Sequence, residues 1–329
     1  MKKTLLSGMQ PTSHMHLGNY HGALENWVKL QNSDNYNCFN CIVDWHSLTT
    51  GSDITKILPE LVHNMAADFI AGGLDPEKSA IFVQSHVKEH AELYLLLSNI
   101  VPLGWLYRVP TYKEKAEALG FDNLGFLGYP VLQTADIVVY KADVVPVGAD
   151  QRPHIELARE IVRRFNHLFD EKVFPEPQTI LNNISLLLGT DGRKMSKSYD
   201  NDIKLSDDKD AIKKKIMSSY TDSKKIHKND PGHPEQCPVF MFHNAYNQKQ
   251  EVQDIKIKCE TGDDSWGCVK CKRKVIPIMN EFLEPIRSKR EELLNDRAEL
   301  DNILSKGADK AREKAQKTMS HVRKVMNLK

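Results

Sequence analysis

Two short polar segments, far apart in the chain, carry residue types that are suited to binding a polyphosphate. The loop Gly192–Ser198, GRKMSKS, places Lys194 and Lys197 three residues apart. Two mobile ammonium groups on a loop that begins with glycine can follow the charge of a polyphosphate. The segment His16–Asn19, HLGN, offers histidine and asparagine hydrogen-bond donors, and Gly18 allows the backbone to approach a ligand closely. Together the two segments predict a site for nucleotide phosphates.

Strand-like and helix-like segments alternate around these residues. Short apolar runs bounded by turn residues predict strands, and apolar residues at helical spacing predict helices. Repeated alternation of this kind implies an α/β fold of the Rossmann type, with a doubly wound parallel sheet and helices on both faces. The predicted strands are Thr4–Leu6, Cys38–Val43, Ala80–Val83 and Ala142–Val147, and the helices include Ile54–Ala71 and the stretch from Ile155 to Phe165.

The pattern changes after Ser198. Lysine-rich helical segments such as Asp210–Met217 follow, and an apolar stripe near the end runs from Ala311 to Met326. The sequence therefore predicts a Rossmann-type domain over residues 1–203 and a C-terminal helical domain over residues 204–329.

Composition bounds the class of protein. The 40% hydrophobic and 27% charged content is ordinary for a globular chain with a real core. Lys and Arg number 45 against 44 Asp and Glu, so nucleic acid would have to bind through local basic patches. We find no run long enough for a signal peptide or a membrane span, and the cysteines suit a reducing compartment. We expect a cytoplasmic protein with no membrane partner.

The two phosphate segments resemble the signature motifs of the class I aminoacyl-tRNA synthetases. The stretch Lys194–Ser198 matches the family's KMSKS motif letter for letter, and Asn19 stands where the class has histidine, as is typical of the tryptophanyl branch. The resemblance to bacterial tryptophanyl-tRNA synthetases covers essentially the whole chain. It implies ATP-dependent activation of L-tryptophan as its adenylate, transfer to the 3′-terminal ribose of tRNA(Trp), and a homodimer. Residues 1–203 would then be catalytic, and residues 204–329 would bind the tRNA anticodon.

The resemblance also implies the residues of the ATP site. The attacking amino-acid carboxylate is already ionised, so the chemistry requires positioning and charge stabilisation on the departing pyrophosphate. Mg²⁺ is expected to arrive with ATP, because no compact set of carboxylates forms a protein-only cage. Lys113–Lys115 resembles the family's mobile loop, in which Lys115 reaches the pyrophosphate. Asp150 has a second interpretation, as a cap of the following helix. The expected catalytic residues are His16, Asn19, Lys115, Lys194 and Lys197, and the expected ATP-binding residues are Gln10, Pro11, Thr12, Gly18, Asn19, Gly148, Ala149, Asp150, Leu187, Lys194, Met195, Ser196, Lys197 and Ser198.

An apolar helical segment carries the candidate amino-acid site. Tyr129, Gln133 and Asp136 are spaced four and three residues apart, which places them on one helical face. A buried carboxylate needs a cation or a hydrogen-bond donor. The resemblance implies that Asp136 accepts the indole N–H and that Tyr129 and Gln151 hold the α-ammonium group. An amino acid without the N–H would leave Asp136 unpaired, at a cost of about a few kcal/mol. The expected tryptophan-binding residues are Gly8, Tyr129, Gln133, Asp136, Val145, Val147 and Gln151.

Four cysteines in the C-terminal part have the spacing of metal ligands. Zinc and iron–sulfur clusters both accept four thiolates, so the ligand set alone does not decide between them. Some tryptophanyl synthetases carry a four-iron cluster in a similarly placed region, and the resemblance therefore favours 4Fe-4S over Zn²⁺, with uncoordinated thiols as a third interpretation. A basic loop around the last ligand would face tRNA. The expected ligands are Cys237, Cys259, Cys268 and Cys271.

Three residues elsewhere have interpretations of their own. Cys38 and Cys41 fall on opposite faces of a strand and are expected to be core thiols. His46 follows the same strand and either faces the cleft or is a structural histidine.

Two other functions remain open from the sequence. One is a tyrosine-specific synthetase of the same class. The other is a catalytically inactive, metal-containing RNA-binding paralogue.

Overall fold

A computed structural model of the protein describes residues 2–50, 52–109, 112, 123–181 and 187–328. The described strands are β1 Lys3–Met9, β2 Tyr36–Ile42, β3 Ser79–Val83, β4 Val144–Val147 and β5 Gln178–Leu181. The described α-helices are α1 Leu17–Asn19, α2 Glu25–Asn32, α3 Asp44–Ser47, α4 Leu58–Ala71, α5 Glu89–Ser98, α6 Leu103–Leu106, α7 Leu124–Val138, α8 Arg152–Leu168, α9 Lys209–Ser218, α10 Pro238–Tyr246, α11 Lys249–Glu260, α12 Cys268–Asn295 and α13 Arg297–Val325. A π-helix, Tyr20–Leu24, separates α1 from α2, and short 3₁₀ segments include Gln84–His86, Ala149–Gln151 and Lys197–Tyr199.

The strands form one parallel sheet in the order β3-β2-β1-β4-β5. The chain starts at the centre and winds outward in both directions, so the strand order reverses between β1 and β4. Ligands of open α/β sheets bind outside the carboxyl ends of the strands at such a reversal. The predicted doubly wound sheet is confirmed.

The predicted strands and helices agree with the structure to within a few residues. The largest shift is in α4: the sequence predicts a start at Ile54, whereas the helix begins at Leu58, after a 3₁₀ segment over Ser52–Lys56. Pro59 lies in the first turn of α4, where the missing N–H costs no hydrogen bond, and it favours a helix start there.

The two cysteines of β2 lie on opposite faces of the sheet, as expected. Cys41 packs in the main core with Phe82 and Val138, whereas Cys38 packs with Leu5 in a separate cluster. Both side chains are buried, and they are core thiols.

Contacts between residues divide the chain into two compact units that are discontinuous in sequence. Unit 1 comprises Met1–Thr12, Glu25–Asn183 and Leu293–Lys329, and unit 2 comprises Ser13–Leu24 and Ile184–Glu292. The boundary expected at residues 203 and 204 falls inside unit 2.

Unit 1 contains the sheet and the last helix of the chain. The apolar stripe of α13 packs in the same core as β3, with Ala311 and Met319 fully buried. Gly307 makes this approach possible, because a Cβ at that position would lie 1.9 Å from the carbonyl oxygen of Ile81. The C-terminal stripe therefore serves to cover the sheet.

Unit 2 joins the HLGN segment to the helices α9 to α11 and most of α12. Its described residues include a small core of Phe240, Ile255 and Trp266. Among the helices that the structure describes, none has the length and apolar character that crossing a membrane requires.

Candidate active site

A buried carboxylate lies at the centre of a polar cluster in unit 1, which we call the Asp136 cluster: Asp136, His46, Gln84, His90 and Tyr140. Asp136 is 4% exposed. Its Oδ1 accepts hydrogen bonds from Gln84 Nε2 and His90 Nδ1, both at 2.7 Å, and its Oδ2 accepts one from His46 Nε2 at 2.8 Å. The Tyr140 hydroxyl lies 2.7 Å from His90 Nε2. Protein groups thus supply the partners that a buried acid requires.

The partners of Asp136 determine its charge. Burial alone would raise the pKa of this carboxyl, but hydrogen bonds from His46 and His90 hold it well below its usual range. Asp136 is therefore ionised at neutral pH. Burial raises the pKa of the Tyr140 phenol well above its ordinary value, so that hydroxyl keeps its proton.

The sheet positions the Asp136 cluster. His46 lies on α3, directly after β2, and Gln84 directly follows β3, so both come from the carboxyl ends of neighbouring parallel strands. Asp136 lies on α7, whose first turn is capped by the Asn123 side chain, which accepts from the Phe126 N–H at 2.8 Å. Strand order and helix placement together bring into contact side chains that are separated by between 46 and 90 positions along the chain.

The sequence pattern points to Asp136, leaves two interpretations of His46, and does not identify the other three members. The structure shows that His46 is buried and bonded to Asp136. Gln84 carried a usable signal, because it directly follows a predicted strand at the edge where ligands bind. His90 and Tyr140 carried none, because nothing near them in sequence points to Asp136.

The remaining tryptophan-site candidates of unit 1 surround α7 and β4. Tyr129 and Gln133 are half-buried on α7, as helical spacing predicted, and the Tyr129 hydroxyl lies 3.1 Å from Nε2 of the buried His154. His154 was another residue that sequence reasoning missed. Val145 and Val147 lie on β4 at alternate positions in the main core. Gly8, on β1, and the half-buried Gln151, just before α8, complete the set.

Several candidates on the nucleotide side also belong to unit 1. Gln10, Pro11 and Thr12 directly follow β1, and Gly148, Ala149 and Asp150 follow β4. Asp150 is not the cap residue of α8, because Gln151 occupies that position, and the Gln151 side chain makes no capping hydrogen bond. The Asp150 carboxylate instead accepts from the Gln151 amide at 3.1 Å. Lys113–Lys115, including the catalytic candidate Lys115, lies outside the described residues.

In unit 2, His16 caps the short helix α1 through one ring nitrogen. Its Nδ1 accepts from the Asn19 N–H at 3.2 Å, and Asn19 Oδ1 accepts from the His16 N–H at 3.3 Å. Because Nδ1 accepts a hydrogen bond, the proton of the neutral ring is on Nε2, which is then a donor. Burial lowers the pKa of His16, as does Lys194, while Asp202 opposes them. Capping therefore uses Nδ1 of His16, and the Nε2–H is the remaining donor of the ring.

The GRKMSKS loop is held by one buried side chain, Asn201, which is 1% exposed. Its Oδ1 accepts from the Ser196 N–H at 2.7 Å, and its Nδ2 donates to Asp191 Oδ1 at 2.7 Å and to the Lys194 carbonyl at 3.1 Å. Lys194 and Lys197 are exposed. Sequence reasoning missed Asn201, whose role depends on the folded shape of the loop.

The structure brings the two phosphate segments together within unit 2. The Gly18 N–H donates to Met195 Sδ at 3.3 Å across 177 residues, and the Leu17 N–H donates to the Ile203 carbonyl at 2.8 Å. A Cβ on Gly18 would lie 2.9 Å from His16 Nδ1 and 3.3 Å from Met195 Cβ. Glycine is therefore required for this contact. Leu187, the last ATP-site candidate, is half-buried in the same unit.

The four cysteines expected to bind a metal line one cavity of unit 2, together with Trp266, Lys225 and Lys272. Burial and repulsion from Cys237 raise the pKa of Cys259 to about 11. Burial likewise raises the pKa of Cys271. In the described part of the chain, however, no three His, Cys, Asp or Glu side chains converge closely enough to hold a metal ion. The expected 4Fe-4S or Zn²⁺ site is therefore not supported by ligand geometry.

Two buried lysines border the same cavity. Lys225 is 9% and Lys272 is 7% exposed. The Lys272 ammonium donates to the Ser219 carbonyl at 2.6 Å and to the Met217 carbonyl and Thr221 Oγ1 at 3.1 Å. Its three donors are thereby used, and its positive charge is held beside the thiols.

Comparison with known proteins gives a consistent result. The profile of a family described as tRNA synthetases class I (W and Y) matches residues 2–284. The tryptophan–tRNA ligase of Thermotoga maritima is 50% identical over 98% of this chain and 99% of its own length, and that of Aquifex aeolicus is 42% identical over 98% and 99%. The crystal structure of Campylobacter jejuni tryptophanyl-tRNA synthetase, complexed with ADP and tryptophan, superposes with a TM-score of 0.90 at 35% identity and covers 99% of this chain and 100% of its own.

These matches extend over both units and include the segments that carry the two phosphate motifs. The resemblance inferred from GRKMSKS and HLGN is confirmed, and so is the Rossmann-like fold. The chain belongs to the class I tRNA synthetase family of the tryptophan and tyrosine enzymes.

Proposed function

We propose that the residues described above carry out the two-step reaction of a tryptophan–tRNA ligase. The chain is a class I aminoacyl-tRNA synthetase of that specificity, as its relatives along almost its whole length are. The main observation in support of this mechanism is the hydrogen bond from the Gly18 N–H to Met195 Sδ, because it joins the two phosphate segments in unit 2. ATP activates L-tryptophan as its adenylate, and the 3′-terminal ribose of tRNA(Trp) then takes the acyl group.

At the phosphate end, we assign charge stabilisation to His16, Asn19, Lys194 and Lys197. The tryptophan carboxylate is ionised at neutral pH, so no general base is needed, and negative charge develops on the departing pyrophosphate. The Nε2–H of neutral His16 donates to it, and the two exposed ammonium groups neutralise it. Because the lysines lie on a loop, they can contact the transition state more closely than the ground state. Mg²⁺ bound with ATP supplies further neutralisation of the phosphates.

The other nucleotide-binding residues keep the roles that the resemblance implies. Gly18, Met195, Ser196 and Ser198 shape the phosphate segments. Gln10, Pro11, Thr12, Gly148, Ala149, Asp150 and Leu187 are assigned to the adenosine part of ATP, and Lys115 to the pyrophosphate.

At the amino-acid end, Asp136 accepts the indole N–H, and Tyr129 and Gln151 hold the α-ammonium group. The ionised, buried state of Asp136 supports this assignment, because the carboxylate accepts three hydrogen bonds from the protein and phenylalanine, which has no N–H, would leave its fourth acceptor position unused. Gly8, Gln133, Val145 and Val147 form the walls around the side chain.

We assign catalysis to residues 1–203 and tRNA anticodon binding to residues 204–329. Local positive charge supports the second assignment: Lys258, Lys270 and Lys274 each lie 5.7 to 5.8 Å from the ring centre of Trp266. Such a basic cluster suits a phosphate backbone.

We also propose a homodimer that acts in the cytoplasm. Large exposed apolar side chains in unit 1 support a partner surface, because burying them against a second copy would remove apolar area from water. These side chains are Leu95, Leu103, Tyr107 and Leu124, which are 47% to 77% exposed.

For the cysteines, we propose a 4Fe-4S cluster, with Zn²⁺ as the alternative. The number and type of donors fit either group, and Cys237, Cys259, Cys268 and Cys271 share one cavity with two buried ammonium groups that would offset thiolate charge. Visible absorbance of anaerobically purified protein, with iron and zinc quantified, distinguishes the two. Metal-free protein that folds and charges tRNA normally would refute both.

Tryptophan-dependent exchange of pyrophosphate into ATP, with Mg²⁺, tests the function. We expect exchange with tryptophan and almost none with tyrosine or phenylalanine, followed by charging of tRNA(Trp). Exchange that prefers tyrosine would establish the tyrosine-specific alternative. Binding of tRNA with no exchange would establish the inactive paralogue.

A further inference from the structure

We infer that Gln84, His90 and Tyr140 are positioning residues for tryptophan selection: they occupy Asp136 Oδ1 and leave Oδ2 as the acceptor for the indole N–H. The inference rests on the proposed binding of the indole at Asp136. It goes further in naming the acceptor atom and the side chains that select it.

A count of lone pairs supports the choice of oxygen. A carboxylate accepts about four hydrogen bonds, two at each oxygen. Oδ1 already accepts two, from Gln84 and His90, whereas Oδ2 accepts one, from His46. Among the described residues, the remaining place on Asp136 is therefore on Oδ2.

The orientation of the Gln84 amide is fixed by the backbone. Gln84 Oε1 accepts from the Trp45 N–H at 3.1 Å, so its NH₂ group must face Asp136 Oδ1. Gln84 is fully buried, and water cannot replace either bond. The amide cannot rotate without breaking both hydrogen bonds at once.

Tyr140 fixes the proton position of His90. Tyr140 is fully buried, keeps its phenolic proton, and has His90 Nε2 as the hydrogen-bond partner of its hydroxyl. The hydroxyl therefore donates to Nε2, which leaves the imidazole proton on Nδ1, facing Asp136 Oδ1. Stacking of Tyr140 on Phe39, with ring centres 4.9 Å apart, holds the phenol in place.

This arrangement has a consequence that a purely structural role lacks. If these residues aim Oδ2 at the indole nitrogen, their loss weakens binding of tryptophan more than binding of an isostere without the N–H. If they only stabilise the fold, their loss affects both ligands equally. The isostere in which sulfur replaces the N–H, 3-(3-benzothienyl)alanine, separates the two cases.

The experiment compares pyrophosphate exchange with tryptophan and with the sulfur isostere. In His90→Leu, we expect the ratio of kcat/KM for tryptophan to that for the isostere to fall about tenfold, mostly through KM, as befits a misdirected hydrogen bond to a charged group. Tyr140→Phe removes a single hydroxyl and should lower the ratio about threefold while preserving the fold. His90→Asn, whose amide can donate to Oδ1, should recover most of the ratio.

Thr134→Val is the matched control. It deletes a buried hydroxyl on the same helix, whose hydrogen bond runs to the Pro130 carbonyl at 2.8 Å and not to a member of the Asp136 cluster. Its ratio should equal that of the wild type.

An unchanged ratio in both Tyr140→Phe and His90→Leu, or equal losses for both substrates, would overturn the inference. If the wild-type protein itself showed no preference for tryptophan over the isostere, the proposed indole contact of Asp136 would fail instead.

Discussion

Replacing Asp136 by asparagine keeps the size of the side chain and removes its charge. Asparagine has one oxygen, which can still accept from Gln84 and His90, but its NH₂ group then faces the donor His46 Nε2. Two charge-assisted hydrogen bonds become neutral, at a loss of about 1 kcal/mol each, and the third is lost, at about 1 to 3 kcal/mol. Relief from burying a charge offsets part of this sum. We expect the free energy of unfolding at pH 7 to fall by about 3 kcal/mol, as measured by urea denaturation.

The pH dependence of that loss carries the sharper test. The pKa of Asp136 is lowered in the folded protein, so its contribution to stability is complete above the ordinary aspartate pKa, about 3.9. Below that pH the unfolded chain takes up the proton first, and the contribution is progressively lost. Since asparagine does not titrate, the stability difference between wild type and Asp136→Asn should narrow as the pH falls below about 4.

A surface aspartate provides the control. Asp309, whose exposed side chain pairs with Arg312 at 2.6 Å, should change stability by less than about 0.5 kcal/mol when replaced by asparagine. An Asp136→Asn protein whose unfolding free energy lies within about 1 kcal/mol of the wild type at pH 7 would refute the argument. So would a difference that stays constant from pH 7 down to the acid limit of folding.

Three further changes test other parts of the structure. Asn201→Ala removes the side chain that holds the GRKMSKS loop, so kcat for pyrophosphate exchange should fall about tenfold, with little change in the KM for tryptophan. An unchanged kcat would contradict the role of Asn201 in positioning this loop. Gly307→Ala places a Cβ 1.9 Å from the Ile81 carbonyl oxygen and should cost about 3 kcal/mol in urea denaturation, whereas Gly104→Ala, which meets nothing within 4 Å, should be nearly neutral. Lys272→Met removes a buried positive charge beside the four cysteines, so the amount of metal bound per chain, measured after anaerobic purification, should fall by about half or more. Full metal occupancy would show that Lys272 is not needed to offset the charge of the thiolates.

Local residue types were enough to predict four of the five described strands and several of the helices. The strands around Leu5, Cys41 and Phe82 are apolar runs ended by turn residues, and a parallel sheet buries such runs on both faces. The start of α4 differs from the predicted one because Pro59 favours the first turn of a helix. The grouping of elements into the two units could not be predicted from the sequence. The sequence pattern assigns α13 to a helical C-terminal domain. Only the folded chain shows that Gly307 allows this helix to pack on the sheet.

In the candidate site, too, the residues in local motifs were predictable from the sequence, and those brought together by tertiary contacts were not. The phosphate segments were recognisable because glycine, lysine and histidine at those spacings already limit what the backbone and side chains can bind. The partners of the buried acid were not, because helix periodicity places Asp136 on a face without saying what that face meets.

By itself, the sequence determined the types of the elements, the two phosphate motifs and hence the family, since each depends on residues that are neighbours along the chain. Tertiary structure alone decided that His46, Gln84 and His90 surround Asp136, that His16 uses one ring nitrogen as a helix cap, and that Asn201 holds the lysine loop. The physical reason is that a hydrogen bond requires atoms within about 3 Å. For residues far apart in the chain, strand order and helix packing set that distance.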